Sequence, residues 1–250
     1  MVSTRHHPRD FPPPATGRAS PPSTPSSSST GANGSGKKWV HVPSGAITLW
    51  LIFSVPLVLW DASYVLLRPH LKLESKLHSP IWTPYALYGT IDYLYGWPAF
   101  NARNEFTIAQ TILNLVETAG YIYYLAIVYT HGVTAGNTSR GQRKTKKGPM
   151  WMLKESKVVT GRPGATALLV AYSASVMTLA KTALFWLNEA FSGFADVDRN
   201  DPWTLFFLWI IPNALWILFP SYGVYALGSE IQASLESATP RQRVGRPKSS

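Results

Sequence analysis

A chain of 250 residues has room for one or two domains, but only 14 % of its residues are charged, against roughly 25 % in an ordinary soluble domain. The net charge of +10 is carried by tails and one loop, with no basic stripe beside a globular core, and this excludes a nucleic-acid partner. There are no cysteines, so disulfides and thiolate metal sites are excluded too.

In chain order, residues 1–40 form a tail of Pro, Ser, Thr and Gly with scattered Arg, a composition that buries no core and predicts disorder. The first apolar stretch, residues 44–67, follows. It is long, lies behind more than forty residues and lacks a small-residue cleavage site, so it reads as a retained helix and not a signal peptide. Residues 69–105 hold Trp82, Tyr85, Tyr88, Tyr93, Tyr95, Trp97 and Phe100, with prolines at 69, 80, 84 and 98. Such a density of rings suits a segment at the membrane interface, either a lid over one end of the bundle or a plain aromatic belt. Further apolar stretches occupy residues 106–129, 164–188 and 203–227. Each of the four is about as long as the ~20 residues a helix needs to cross ~30 Å of hydrocarbon. The expected fold is all-α: an integral membrane domain over 41–231, a four-helix bundle, with a basic disordered tail at 232–250. No cofactor is expected. The lipid bilayer is the implied surrounding, and a homodimer is compatible with the sequence.

Lys and Arg number five before the first helix, four between helices one and two, and eight between two and three. One (Arg199) lies between three and four, and four follow the last helix. The positive-inside rule then predicts cytosolic termini and a cytosolic middle loop, leaving the aromatic loop lumenal. Asn33-Gly-Ser and Asn137-Thr-Ser match the glycosylation pattern, but both fall on the predicted cytosolic side and are expected to be unmodified. The run Arg140-Gly-Gln-Arg-Lys-Thr-Lys-Lys sets topology or touches anionic headgroups.

Polar residues within the apolar stretches fall at helical spacing. Helix two carries Gln110, Asn114, Glu117, Tyr121 and Tyr124 on one face, and helix one Trp50, Ser54, Leu57, Asp61 and Tyr64. Helix three adds Thr178, Lys181 and Asn188, and helix four Trp209, Asn213, Trp216 and Pro220. An ionisable group at mid-depth costs at least ~2.5–3.5 kcal/mol, so these stripes should face a shared interior. At ~1.5 Å rise per residue, Asp61 and Lys181 both lie about 9–11 Å from the lumenal end, and Glu117 and Asn213 about 15–16 Å. This depth count predicts an Asp61–Lys181 pair above a Glu117–Asn213 layer. The alternative is that the polar groups only join helices. Pro56, Pro212 and Pro220 break backbone hydrogen bonds in helices one and four, which a bundle tolerates where neighbours or water satisfy the freed groups, and they hint at a cavity.

Several elements, in order, resemble the EXPERA family, which includes the emopamil-binding sterol Δ8–Δ7 isomerase and sigma-two-type receptors. Asn213-Ala-Leu-Trp216-Ile-Leu-Phe-Pro220 resembles the isomerase N-A-L-W-x-x-x-P, and Tyr88-Gly-Thr-Ile-Asp92-Tyr-Leu-Tyr95 its Y-x-x-x-D-x-x-Y segment. Phe106-Thr107 and Phe185-Trp-Leu-Asn-Glu189 are similar to the start of helix two and the end of helix three. The resemblance spans about residues 45–230. It implies an endoplasmic reticulum protein holding a sterol or lipophilic amine in an interior cavity. By position it implies Asp61, Asn213 and Trp216 as site residues, with Trp216 able to steady a cation through its ring.

The sequence departs from the isomerases at Leu57, where they carry a His, and at Thr111, where they carry a catalytic Glu. Glu117 lies further along the same helix, and Lys181 has no counterpart. Three classes therefore stand. One is a binding protein using Asp61, Asn114, Glu117, Trp209, Asn213, Trp216, Asp92 and Tyr95. The second is an isomerase with acid and base rebuilt from Asp61, Glu117 and Lys181. The third is a structural or trafficking partner.

Overall fold

The computed structural model describes residues 39–70, 76, 78–135 and 157–239. The N-terminal tail, both glycosylation patterns, the basic run and the last residues of the C-terminal tail lie outside the described residues. Among the described residues, four helices are long and apolar enough to span a membrane: α1 Gly45–Leu67, α4 Phe106–His131, α5 Gly161–Phe191 and α6 Pro202–Ala238. This is the expected four-helix integral membrane bundle. The last helix runs on to Ala238, through residues 232–238 that composition had assigned to the tail.

The stripes read from sequence are the packed faces. In α4, Asn114, Glu117, Tyr121 and Tyr124 are buried and Gln110 is partly so, while Ile112, Leu113, Val116 and Ile122 look outward. In a bilayer that inversion costs nothing, because lipid tails solvate Leu and Ile as well as a core does. Helix α5 is central and packs along both α4 and α6, and α1 packs on α4. Small residues permit the close α5–α6 crossing: a methyl group on Gly223 would meet Ser175 Oγ at 2.8 Å.

Two features cap the bundle. At one end β1 Val40–His41, β2 Val133–Thr134 and β3 Lys157–Thr160 form a small antiparallel sheet of order β1-β3-β2, in register Val40↔Thr160 and Val133↔Val158. It is tied to the last helix by His41, fully buried, whose Nδ1 lies 3.0 Å from the Glu230 carboxylate. At the other end the aromatic segment folds into α2 Pro84–Ile91 and α3 Trp97–Asn101. Trp60 Nε1 donates to Ile81 O, Trp82 Nε1 to Ser63 Oγ, and Tyr93 N to Asp196 O, which fasten this segment to α1 and to the α5–α6 connection. Arg68, 2 % exposed, donates to Leu94 O, Gly96 O and Thr107 Oγ1.

The start of α6 is irregular. Asp201 caps it by accepting from the Trp203 and Thr204 amides, and a π-turn covers Phe206–Ile210 just before Pro212. Pro212 has no N–H to offer the Leu208 carbonyl four residues earlier, and beside it Asn213 Nδ2 donates to Trp209 O at 2.8 Å. Of the three prolines noted above, only Pro212 borders the large cavity described next; Pro56 faces outward and Pro220 is buried beside Trp50 and Phe219.

Candidate functional site

A cavity of about 410 Å³ lies between α1, α4, α5 and α6, and residues of α2 line part of its wall. That volume is within the roughly 300–1,000 Å³ usual for small-molecule sites. Leu57, Val58, Leu87, Ile91, Phe185 and Leu208 give it apolar walls, and Trp60, Tyr95 and Trp216 add rings.

The polar groups form two poles. At the first, Asp61 accepts a hydrogen bond from the Tyr85 hydroxyl. Tyr85 comes from α2, and its ring stacks on Tyr64 with centroids 3.7 Å apart. At the second, Lys181 Nζ donates to Asn114 Oδ1 and, at 3.0 Å, to Glu117 Oε1. Lys181 and Asn114 line the cavity, whereas Glu117 stands behind them, 2 % exposed.

The predicted Asp61–Lys181 pair and Glu117–Asn213 layer are therefore corrected. Lys181 forms its ion pair with Glu117, Asp61 bonds to Tyr85, and Asn213 turns to the Trp209 carbonyl of its own helix. The cause is side-chain direction. Cα–Cβ bonds tilt toward the helix N-terminus, and α4 and α5 run antiparallel. Lys181 thus reaches back toward the middle of the bundle while Glu117 leans up to meet it, which a count of Cα depths misses.

Of the residues singled out in the sequence, Asp61, Tyr95, Asn114, Lys181, Asn213 and Trp216 line the cavity. Glu117, Trp209 and Asp92 stand behind its wall. Trp209 Nε1 donates to Asp92 Oδ2 at 3.1 Å, and Asp92 Oδ1 accepts from the Leu94 amide. The Tyr88 hydroxyl, on the wall, reaches Asp92 Oδ2 at 3.5 Å. Asp92 thus holds the covering segment and α6 together. Burial pushes its pKa up to about 7; the Leu94 amide and Trp209 oppose the rise and nearby Asp196 adds to it. Burial likewise raises the Tyr85, Tyr88 and Tyr95 phenols, so all three remain neutral donors.

Sequence reasoning missed Tyr85 and Arg68 as site-building residues. Tyr85 was one ring among many, and nothing in local spacing links it to Asp61 across 24 positions. Arg68 was counted only toward topology. A lone Arg immediately after a span, before an aromatic-rich loop, was the available signal.

The chain matches no protein-family model, no curated protein and no solved structure. Fold and site together define a multi-pass membrane protein with a chamber inside its helix bundle.

Proposed function

We propose that the protein binds a sterol or a related lipophilic molecule, such as a sterol-sized amine, in the bundle cavity. The observation that carries this reading is a chamber within membrane spans whose apolar walls end in two fixed polar poles. A purely structural bundle has no need of such a space, because close packing of its interior is more stable. Asn213 and Trp216, which carry the N-A-L-W resemblance, both line the cavity, and this supports an EXPERA-type reading.

Purified protein titrated with tritiated cholesterol should show saturable binding. Hydrogen bonds to charged groups contribute about 1.5–3 kcal/mol, so Asp61→Asn should weaken binding on the order of tenfold. Equal, non-saturable uptake by both proteins would reject the reading.

A second reading, sterol Δ8–Δ7 isomerisation, is favoured by one feature: Asp61 is the carboxylate on the cavity wall and takes a hydrogen bond from Tyr85. A proton mover must touch the space where substrate sits. The active pair in this reading is Asp61 and Tyr85, with Lys181 on the wall adding its charge and Glu117 balancing it from behind. Expression in cells lacking their own isomerase should restore Δ7 sterols, and Asp61→Asn should abolish the restoration. Persistent Δ8 sterols with correctly inserted protein would remove this reading and leave binding alone. Residence in the endoplasmic reticulum with cytosolic termini belongs to the same proposal. Protease should digest tags at both ends in sealed microsomes; protected tags would contradict it.

A further inference from the structure

We infer that the ligand presents an uncharged oxygen acceptor to Lys181, so that the cavity selects an oxygenated sterol over the matching hydrocarbon or amine. This deepens the binding reading above and rests on it.

The argument begins with the donors of an ammonium group, three hydrogens and no acceptor. Two are taken, by Asn114 Oδ1 and Glu117 Oε1. Both partners lie on α4, on one side of the lysine, and Gln110 of the same helix bonds to the Lys181 backbone carbonyl. Lys181 is held from that side while its side chain borders the cavity. Among the described residues no group takes the third hydrogen, which is left for whatever fills the chamber. An apolar occupant leaves a charged donor without a partner in a water-poor site, whereas a carbonyl or hydroxyl oxygen satisfies it.

Charge narrows the class further. Glu117 already neutralises Lys181, so no second anion is called for. A ligand ammonium beside Lys181 meets a donor-only, like-charged neighbour. Asp61 would attract a cation at the other pole, but Lys181 is within electrostatic range of Asp61 and offsets that attraction. A neutral molecule with one oxygen acceptor satisfies Lys181, and where that oxygen is a hydroxyl or the ligand carries another, Asp61 keeps acceptor capacity for it beside the Tyr85 hydrogen bond.

The test uses cholestenone, cholestene and aminocholestene, competed against a fluorescent sterol on the purified full chain. Wild type should bind cholestenone at least about tenfold more tightly than either analogue, the ratio expected for a hydrogen bond to a charged group. Lys181→Met combined with Glu117→Gln removes both charges and should bring cholestenone to the affinity of cholestene. Lys181→Arg, which keeps a charged donor, should retain the preference. Parity of the three ligands on wild type, tightest binding of aminocholestene, or a preference surviving in the double variant would each overturn the inference while leaving the binding reading intact. If none of the three binds, the binding reading fails and the inference falls with it. The wild-type comparison decides the matter even where the double variant does not fold.

Discussion

Lys181→Met should be among the most destabilising single substitutions in the bundle, by about 3–5 kcal/mol, the usual effect of stranding one partner of a buried ion pair. Glu117 is 2 % exposed, and among the described residues its Oε2 has no hydrogen-bond partner, so its main stabilisation comes through Oε1 and the lysine. Methionine fills the space of the lysine stem but leaves a carboxylate in the spans. Asn114 loses its partner at the same time. The double variant Lys181→Met/Glu117→Gln removes both charges and should recover most of the loss. A double-mutant cycle read by thermal unfolding in detergent checks both statements. Single and double variants of equal stability, or a single variant as stable as wild type, would show that the pair is not structurally coupled.

A comparable effect is expected from pH at Asp92. Burial raises this carboxyl from 3.8 to about 7, so folding favours its protonated form. The stabilisation is fully present below the unfolded value near 4 and is lost as pH rises through about 7. Over that window it amounts to roughly 4 kcal/mol, taking ~1.36 kcal/mol for each tenfold change in proton affinity. Asp92→Asn removes the charge and keeps one carbonyl oxygen, which accepts from the Leu94 amide or from Trp209 Nε1 but not from both, since these two donors use different oxygens of Asp92. Its stability should therefore fall much less than that of wild type between pH 4 and pH 8. Asp196 and Glu189 lie within electrostatic range of Asp92 and are untouched by this substitution, so the slope that remains in Asp92→Asn reports on them. Identical pH profiles for the two proteins would show that Asp92 does not carry the dependence.

The bundle itself was legible because membrane spans are written in one dimension. The expected stretch 44–67 is helix Gly45–Leu67, and 106–129 is helix Phe106–His131. Helical spacing also found the inward faces, since a polar group such as Asn114 or Glu117 has no favourable place against lipid. Partners were not legible, because they depend on side-chain reach and on elements far apart in sequence. Asp61 meets Tyr85 only because α2 folds across the end of α1, and no periodic signal encodes that fold. The sheet escaped notice because Val40–His41 and Val133–Thr134 are too short for any alternation to register. Within the site, the residues on packed faces that also flank Pro212 and the π-turn came out on the cavity wall. Trp209 did not: it lies on the same stripe as Asn213, yet its indole turns to Asp92.

The central claim is that a sterol-like molecule occupies the chamber between the helices. It is tested most directly by irradiating the purified protein in lipid nanodiscs with a photoreactive, alkyne-tagged cholesterol and mapping the adducts by mass spectrometry. The account predicts label on residues within 57–61, 84–95 and 208–216, the segments that line the cavity, and loss of that label when excess cholesterol is added. Label confined to lipid-facing residues such as Leu218 and Tyr225, undiminished by the competitor, would contradict it.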